Sequence, residues 1–355
     1  MHVRHASARR LVALLLSCAA AWAFGPQARL HGQALELVGV IPGPAGVVSV
    51  HGDRAYVGDG PTLRIVDIAD PAAPHVKGSV TLPENIYGID VAGTVAYAAI
   101  DFGGLATVDV SDPAAPRLLA TLRTPGQALS VAVAGTTAAV TNRLSGLELI
   151  DVSDPAAPAA NASYFAEGYA IDVAVAGSRA YVIDTPGGLS IVDLAGTDEE
   201  RPARGTLATR EMTAAVAVGT LRLNGAETTL AGLMSSESTL ELVDVSDPEE
   251  PAPLGTYRDA GRPGTGGYIA AAATGGLVHV ELEGSLAFLA DAYPPFLLQV
   301  VDVSDPAAPT LVTEYEPAGP PRDVAVSGPL VLLAVGGPET GGTGEPGVVI
   351  LHLEP

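Results

Sequence analysis

Residues Leu147–Pro158 read Leu-Glu-Leu-Ile-Asp-Val-Ser-Asp-Pro-Ala-Ala-Pro, and near-copies stand at Leu63–Pro74, Leu105–Pro116, Leu240–Pro251 and Leu298–Pro309. Weaker versions occur at Leu189–Asp198 and Val348–Pro355. Alignment on the acid in the middle of the motif gives Asp67, Asp109, Asp151, Asp193, Asp244 and Asp302, with His352 in the seventh slot. The first three steps are 42 residues each and the later ones 51, 58 and 50. A unit of this length cannot bury its own apolar face, so it must stack against its neighbours.

Each repeat divides into four short apolar runs. In the third repeat these are Ala128–Ala134, ended by Gly135, then Ala138–Thr141, Leu147–Val152 and Ala160–Phe165. Runs of this length, rich in Val, Leu, Ile and Ala and punctuated by Gly, Pro and Asp, are strands rather than helices. The Asp-Pro step stops the third strand, since Pro cannot donate to a ladder and Asp closes an Asx turn. Four strands in about 42 residues is one propeller blade.

Seven first strands are expected to end at or near Gly52, Gly93, Gly135, Gly177, Gly219, Gly284 and Gly328. The last motif supplies no fourth strand, whereas Ala34–Pro42 resembles a fourth strand without a blade. Pairing the two completes a seventh blade and removes the exposed sheet edges. The expectation is an all-β, seven-bladed β-propeller over residues 34–355. Hydrophobic residues make up 48% of the chain and aromatics only 5%, so the blades must pack through Ala, Val and Leu.

The motif Leu-x-Ile-Val-Asp-Val-Ser-Asp-Pro-x-x-Pro resembles the LVIVD repeat family, β-propellers of bacterial and archaeal surface or secreted proteins. The resemblance covers essentially residues 34–355. It implies fold and export; most members have no assigned chemistry. The pattern is unlike WD40, since Trp22 is the only tryptophan and lies outside the repeats.

Residues 1–23 read as a secretory signal, with Arg4, Arg9 and Arg10 ahead of the apolar stretch Leu11–Ala23. Two processing routes compete: cleavage after Ala23 at an Ala-x-Ala site, which the reading favours, or a lipobox at Leu15–Cys18 that would lipidate Cys18. Residues 24–33 are then a short linker. No other run is long enough to cross a bilayer as a helix. After cleavage no cysteine remains for disulfides.

The formal charge is −22, from 40 acidic and 18 basic residues. Phosphate recognition needs clustered Lys and Arg, so nucleic acid is excluded as a partner, as is insertion into a membrane apart from the Cys18 anchor. A protein or glycan partner at the cell surface or in the periplasm is expected.

No H-E-x-x-H, G-x-S-x-G or Walker A motif is present. A residue needed in every blade is expected to satisfy backbone groups, so the repeated acids read as structural. The alternative is a ring of calcium contacts on their face. The position five residues before each strand-ending glycine varies between blades: Val47, Gly88, Ser130, Asp172, Ala214, His279 and Asp323. A two-residue register shift adds Asp90. Ser130, Asp172, His279 and Asp323, with Tyr169 nearby, are the candidate ligand-binding set at the channel mouth. The bland reading of the same residues is a hydrated polar channel.

Strand alternation also puts Glu281 and Glu283 on the face of His279. Asp172, His279 and Asp323 are the metal-ligand alternative, for Zn or Mn, and would serve a metal-dependent hydrolase or lyase. The leading expectation is a non-catalytic interaction module with no cofactor, or at most a divalent cation such as Ca, Zn or Mn. A surface-layer component is the third reading. Asp59, Asp101, Asp184 and Asp291 are expected on the same rim, with the tyrosines Tyr87, Tyr169, Tyr268 and Tyr293 and with Phe296. The added lengths Leu221–Thr239, Asp259–Gly276 and Gly336–Gly347 are expected to mark the functional face.

Overall fold

A computed structural model describes residues 29–30 and 34–354, apart from 167, 186–187, 197, 210–211, 224, 236, 259–277, 293, 295 and 338–343. The side chains of residues 29, 30, 278 and 279 also lie outside the description. So do the signal-like segment, Cys18, Tyr268 and Tyr293.

Seven antiparallel sheets succeed one another along the chain. Blade one is Val47–His51, Arg54–Asp59, Thr62–Asp67 and His75–Thr81; blade three, Ala128–Ala134, Thr137–Asn142, Gly146–Asp151 and Ala159–Tyr164, repeats it. In each blade the first strand is innermost, and each innermost strand neighbours the next around a closed ring, Pro321–Ser327 returning to Val47–His51. In blade seven, Leu35–Pro42 supplies the outermost strand, pairing Leu35 with Leu353 and Pro42 with Gly347. This is the closure expected from the sequence. Within the segment expected as linker, Arg29–Leu30 adds a fifth strand outside blade six, Arg29 opposite Glu314.

Strand alternation sends apolar side chains to both faces of every sheet, and the faces meet in seven separate cores. One unites Val47, Tyr56 and Ile65 of blade one with Val91, Ala98 and Val108 of blade two. Another unites Leu332, Ala334 and Ile350 of blade seven with Val48, Ala55 and Val57 of blade one. Tyr56, Tyr97, Tyr181 and Phe288 stand on second strands and are all but fully buried. Small Ala and Val opposite them let sheets approach so closely that few aromatics suffice.

The repeated acids hold turns. Asp67, Asp109, Asp151, Asp244 and Asp302 each accept, through Oδ1, the backbone N–H two residues on at 2.8–3.0 Å. Asp70, Asp112, Asp154, Asp247 and Asp305 do the same inside the Asp-Pro turn at 3.0–3.2 Å. The Ser111 hydroxyl and N–H, with Arg117, hold the Asp109 carboxyl down at about 2. These are local Asx bonds, as the repetition implied.

The Asp-Pro turn also locks blade to blade. Each turn packs on the outermost strand of the blade before it, where a glycine recurs. A Cβ built on Gly39, Gly78, Gly205 or Gly255 would stand 1.9–2.5 Å from the carbonyl oxygen of Pro71, Pro113, Pro248 or Pro306 respectively. Blade two has Leu119 in this region, and there the Thr107 hydroxyl donates to the Pro155 carbonyl at 2.6 Å.

Two local expectations need correction. Gly219 does not end a first strand: Thr213–Leu223 runs past it and turns at Gly225, with φ of 85°. The added length of blade five therefore begins in a longer inner hairpin, which lies on the Asp-Pro face and not on the loop face. Asp184 and Asp291 are buried, at 3% and 2% exposure, so they are not rim acids; Ser238 donates its hydroxyl to Asp291 from blade five. In the acidic run Asp198–Arg201 the three acids are exposed, but Arg201 is buried, donating its N–H to Ser163 O and its Nη2 to Gly196 O.

Candidate functional site

The seven innermost strands enclose a central channel of about 730 Å³. Ser130, Tyr169, Asp172 and Asp323 all border it. Four of the five candidate residues thus come to one lumen. The fifth, His279, has its backbone opposite Ala290 in blade six, and its side chain lies outside the described residues.

Asp172 and Asp323 are tied to the ring itself. Asp172 accepts Val173 N–H through Oδ1 at 3.0 Å and Val216 N–H, on blade five, through Oδ2 at 2.9 Å. Asp323 accepts Val324 N–H at 2.9 Å and, across the closure, Val48 N–H of blade one at 2.8 Å. Asp90 accepts Val91 N–H and Val133 N–H, both at 2.7 Å. Asp90 sits two residues nearer its hairpin than the other two sit to theirs, so its bridge from blade two to blade three lies one strand repeat deeper. That is the register shift anticipated for it. Burial raises the Asp90 carboxyl while the two N–H bonds pull it back.

These bridges exist because an innermost strand leaves N–H groups without a partner on its channel side. A carboxylate is the short acceptor that spans two such groups at once. Blades four and seven shift register just before the acid, at Ala170/Asp172 and Pro321/Asp323, which re-aims the side chain toward the next blade. Ser130 occupies the same slot in blade three, where its N–H donates to Thr141 Oγ1 at 3.0 Å.

Glu281 of blade six also borders the lumen and keeps part of its surface open to it. Burial, with Asp323, Glu283, Asp172 and Asp90 around it, pushes its carboxyl up to about 8. No hydrogen bond to another described residue reaches it.

Among the described residues, no group of three or more His, Cys, Asp and Glu side chains is arranged to hold a metal ion. Asp172 and Asp323 stand three blades apart, and each already receives two N–H donors.

The loops between second and third strands, and those between blades, share one face around the channel mouth. Arg143 lies over the Tyr169 ring, 5.7 Å from its centroid, and its carbonyl accepts Ala170 N–H at 3.0 Å, hooking blade three onto blade four. In the loops and strand ends of this face Phe102, Leu144, Phe165 and Met212 are exposed by 61, 69, 81 and 39%, and Tyr169 by 42%. All five fall on blades two to four and the link into blade five. The sequence reading looked also to the added lengths of blades five to seven, of which Asp259–Gly276 and residues 338–343 lie outside the described residues. The signal it missed is an isolated apolar residue in a short polar turn, as in Asp101-Phe102-Gly103 and Arg143-Leu144-Ser145.

A closed ring of seven four-stranded sheets with a lined axial channel defines a β-propeller built from repeats. The LVIVD repeat matches residues 42–82, 87–124, 125–165, 167–195 and 279–316, and the chain belongs to the LVIVD repeat family. The fold is similar to the β-propeller domain of Cps50 (Swd1) from Myceliophteria thermophila, at TM-score 0.68 and 14% identity, covering 90% of this chain and 100% of that one. No curated protein matches the sequence.

Proposed function

We propose that the protein is an exported, non-catalytic interaction module that presents the loop face of a rigid propeller to a protein or glycan partner at the cell surface or in the periplasm. The observation that carries this reading is the group Phe102, Leu144, Phe165, Tyr169 and Met212, five large apolar side chains exposed on one rim. Isolated exposed apolar residues are ordinary, but several on one face mark a contact surface. Aromatic anchors with Arg at their edge are the composition of binding hot spots, and Arg143 sits over Tyr169. Each loop is anchored by a closed sheet, so docking orders little of the protein.

The metal-dependent hydrolase or lyase alternative draws on Asp172, His279 and Asp323. A metal there would compete with the N–H bonds that join blades four to five and seven to one.

The test is crosslinking of the purified protein to envelope fractions of the parent cell, together with a glycan-binding screen, beside a Leu144→Ser/Phe165→Ser variant. The expected result is a partner that is captured by the parent protein and lost by the variant, with the thermal midpoint unchanged. Capture of the same partner by both proteins would move the contact away from this rim and overturn the reading.

A further inference from the structure

The axial channel has a chemistry of its own, separate from the loop face. Its wall is largely aliphatic, with Val50, Val131, Ile171, Val218 and Val326 among the lining residues. Its volume of about 730 Å³ falls within the range of roughly 300–1,000 Å³ typical of small-molecule sites. Of its described charged groups only Arg143 is cationic, and it is held at the mouth over Tyr169.

Asp90, Asp172 and Asp323 each accept two backbone N–H groups, one on each carboxylate oxygen. Glu281 projects among them, and no hydrogen bond from another described residue reaches its carboxyl. A carboxyl enclosed by protein and lacking a donor is costly to ionise, and the raised value near 8 expresses that cost. Among the described lining residues, Arg143 at the mouth is the one cation. Low-dielectric walls make the pull of four carboxyl groups on a positive donor stronger than it would be at the surface.

A bare metal ion suits this cavity poorly, since no three ligating side chains converge among the described residues. An ammonium on an apolar body suits it well: the head donates to Glu281 while the body replaces water along the aliphatic wall. We propose that the channel is a binding site for a small organic cation, an amine with an aliphatic or aromatic body, and that Glu281 is its counter-ion.

Binding would displace the Glu281 proton into solvent. The groups around Glu281 are Glu283 on its own strand and Asp323, Asp172 and Asp90 on the innermost strands of blades seven, four and two, all acidic, with His51 acting on Asp90; the side chain of His279, on the same strand, lies outside the described residues. An arriving cation brings a positive charge against this carboxyl, and affinity should rise as pH increases toward 8.5.

Isothermal titration calorimetry of the full chain with tryptamine, phenethylamine and the uncharged tryptophol tests this. The expected result is one site per chain for both amines, with Kd below about 1 mM, and tryptophol at least tenfold weaker. Comparison of two buffers of different ionisation enthalpy should show proton release near neutral pH. Glu281→Gln should weaken the amines at least tenfold, and Ser49→Phe, which narrows the lumen without changing a charge, should weaken all three ligands. Ser49→Phe and the tryptamine/tryptophol pair decide the matter if Glu281→Gln fails to fold. The proposal is overturned if neither amine saturates one site, if tryptophol equals tryptamine, or if Glu281→Gln binds as the parent does. Saturable calcium binding that excludes neither amine would assign the metal to another site, whereas calcium binding with no amine binding would overturn the proposal.

Discussion

Asp172 and Asp323 show how one residue type can be read correctly for position and incompletely for role. Their place before a strand-ending glycine was visible in the sequence, and so was their difference from the neutral residues in other blades. What local sequence could not show is that their partners are Val216 and Val48, the latter 275 residues away. A carboxylate between two N–H groups of adjacent blades stabilises both strands, and losing one such acceptor leaves a channel-side donor unsatisfied. Asp323→Asn retains one carbonyl oxygen but turns an NH₂ toward the second donor. We expect a loss of about 1–3 kcal/mol in urea unfolding, with Asp323→Ala no better. Asp70→Asn removes no bond between blades and should cost less. Equal stability of Asp323→Asn and the parent would mean that water replaces the bridge at no cost.

At the scale of the strand, the four-strand blade was legible because Gly, Pro and Asp punctuate apolar runs of constant length. The position of the outer-strand glycine was equally visible, in Val38-Gly39, Lys77-Gly78, Arg204-Gly205 and Leu254-Gly255. Its reason was not, because the group it makes room for belongs to the next blade. Nor was the longer inner hairpin of blade five, where Gly219 mimics a strand end in sequence but pairs with Leu230 in mid-strand. The two kinds of glycine can be separated by experiment. A Cβ at Gly255 would meet the Pro306 carbonyl at 2.2 Å, while one at Gly52, with φ of 57°, would meet nothing within 4 Å. Gly52→Ala therefore bears only the left-handed backbone cost, about 1–2 kcal/mol. Gly255→Ala must push a turn outward and separate blades five and six, an overpacking cost of about 1–3 kcal/mol or more. The sharper distinction is structural. Hydrogen exchange should quicken across the turn Ser246–Pro251 and the turn Ser304–Pro309 in Gly255→Ala, and should stay local to the first hairpin in Gly52→Ala. Identical exchange maps would remove the turn-to-glycine contact as a source of blade adhesion.

For the whole molecule, the ring depends on a segment that is distant in sequence from the blade it completes. Leu35–Pro42 covers the edge of Gly347–Leu353, which would otherwise offer unpaired N–H and C=O groups to another chain. It also serves two cores at once, since Leu35 packs between blades six and seven and Ile41 between blades seven and one. Burying each side chain contributes about 1.5–3 kcal/mol, so deleting the strand weakens two interfaces and exposes an edge in one step. In an array where each unit leans only on its neighbours, that loss should spread as lowered cooperativity and not remain local. A chain beginning at Gly43 is expected to unfold at lower urea over a broader transition and to self-associate. The geometry supplies its own control. Glu354 N–H donates to the Ala34 carbonyl at 2.9 Å, so the two ends of the pairing are already adjacent. A permuted chain that runs from Gly43 to Glu354, makes a short Asn-Gly turn and finishes with Leu35–Pro42 turns the closure into an ordinary hairpin. Light scattering should find it monomeric, with a midpoint close to that of the parent. A truncated chain as stable and monomeric as the parent would show that closure contributes nothing. A permuted chain that still aggregates would show that the N-terminal strand acts through something other than its pairing.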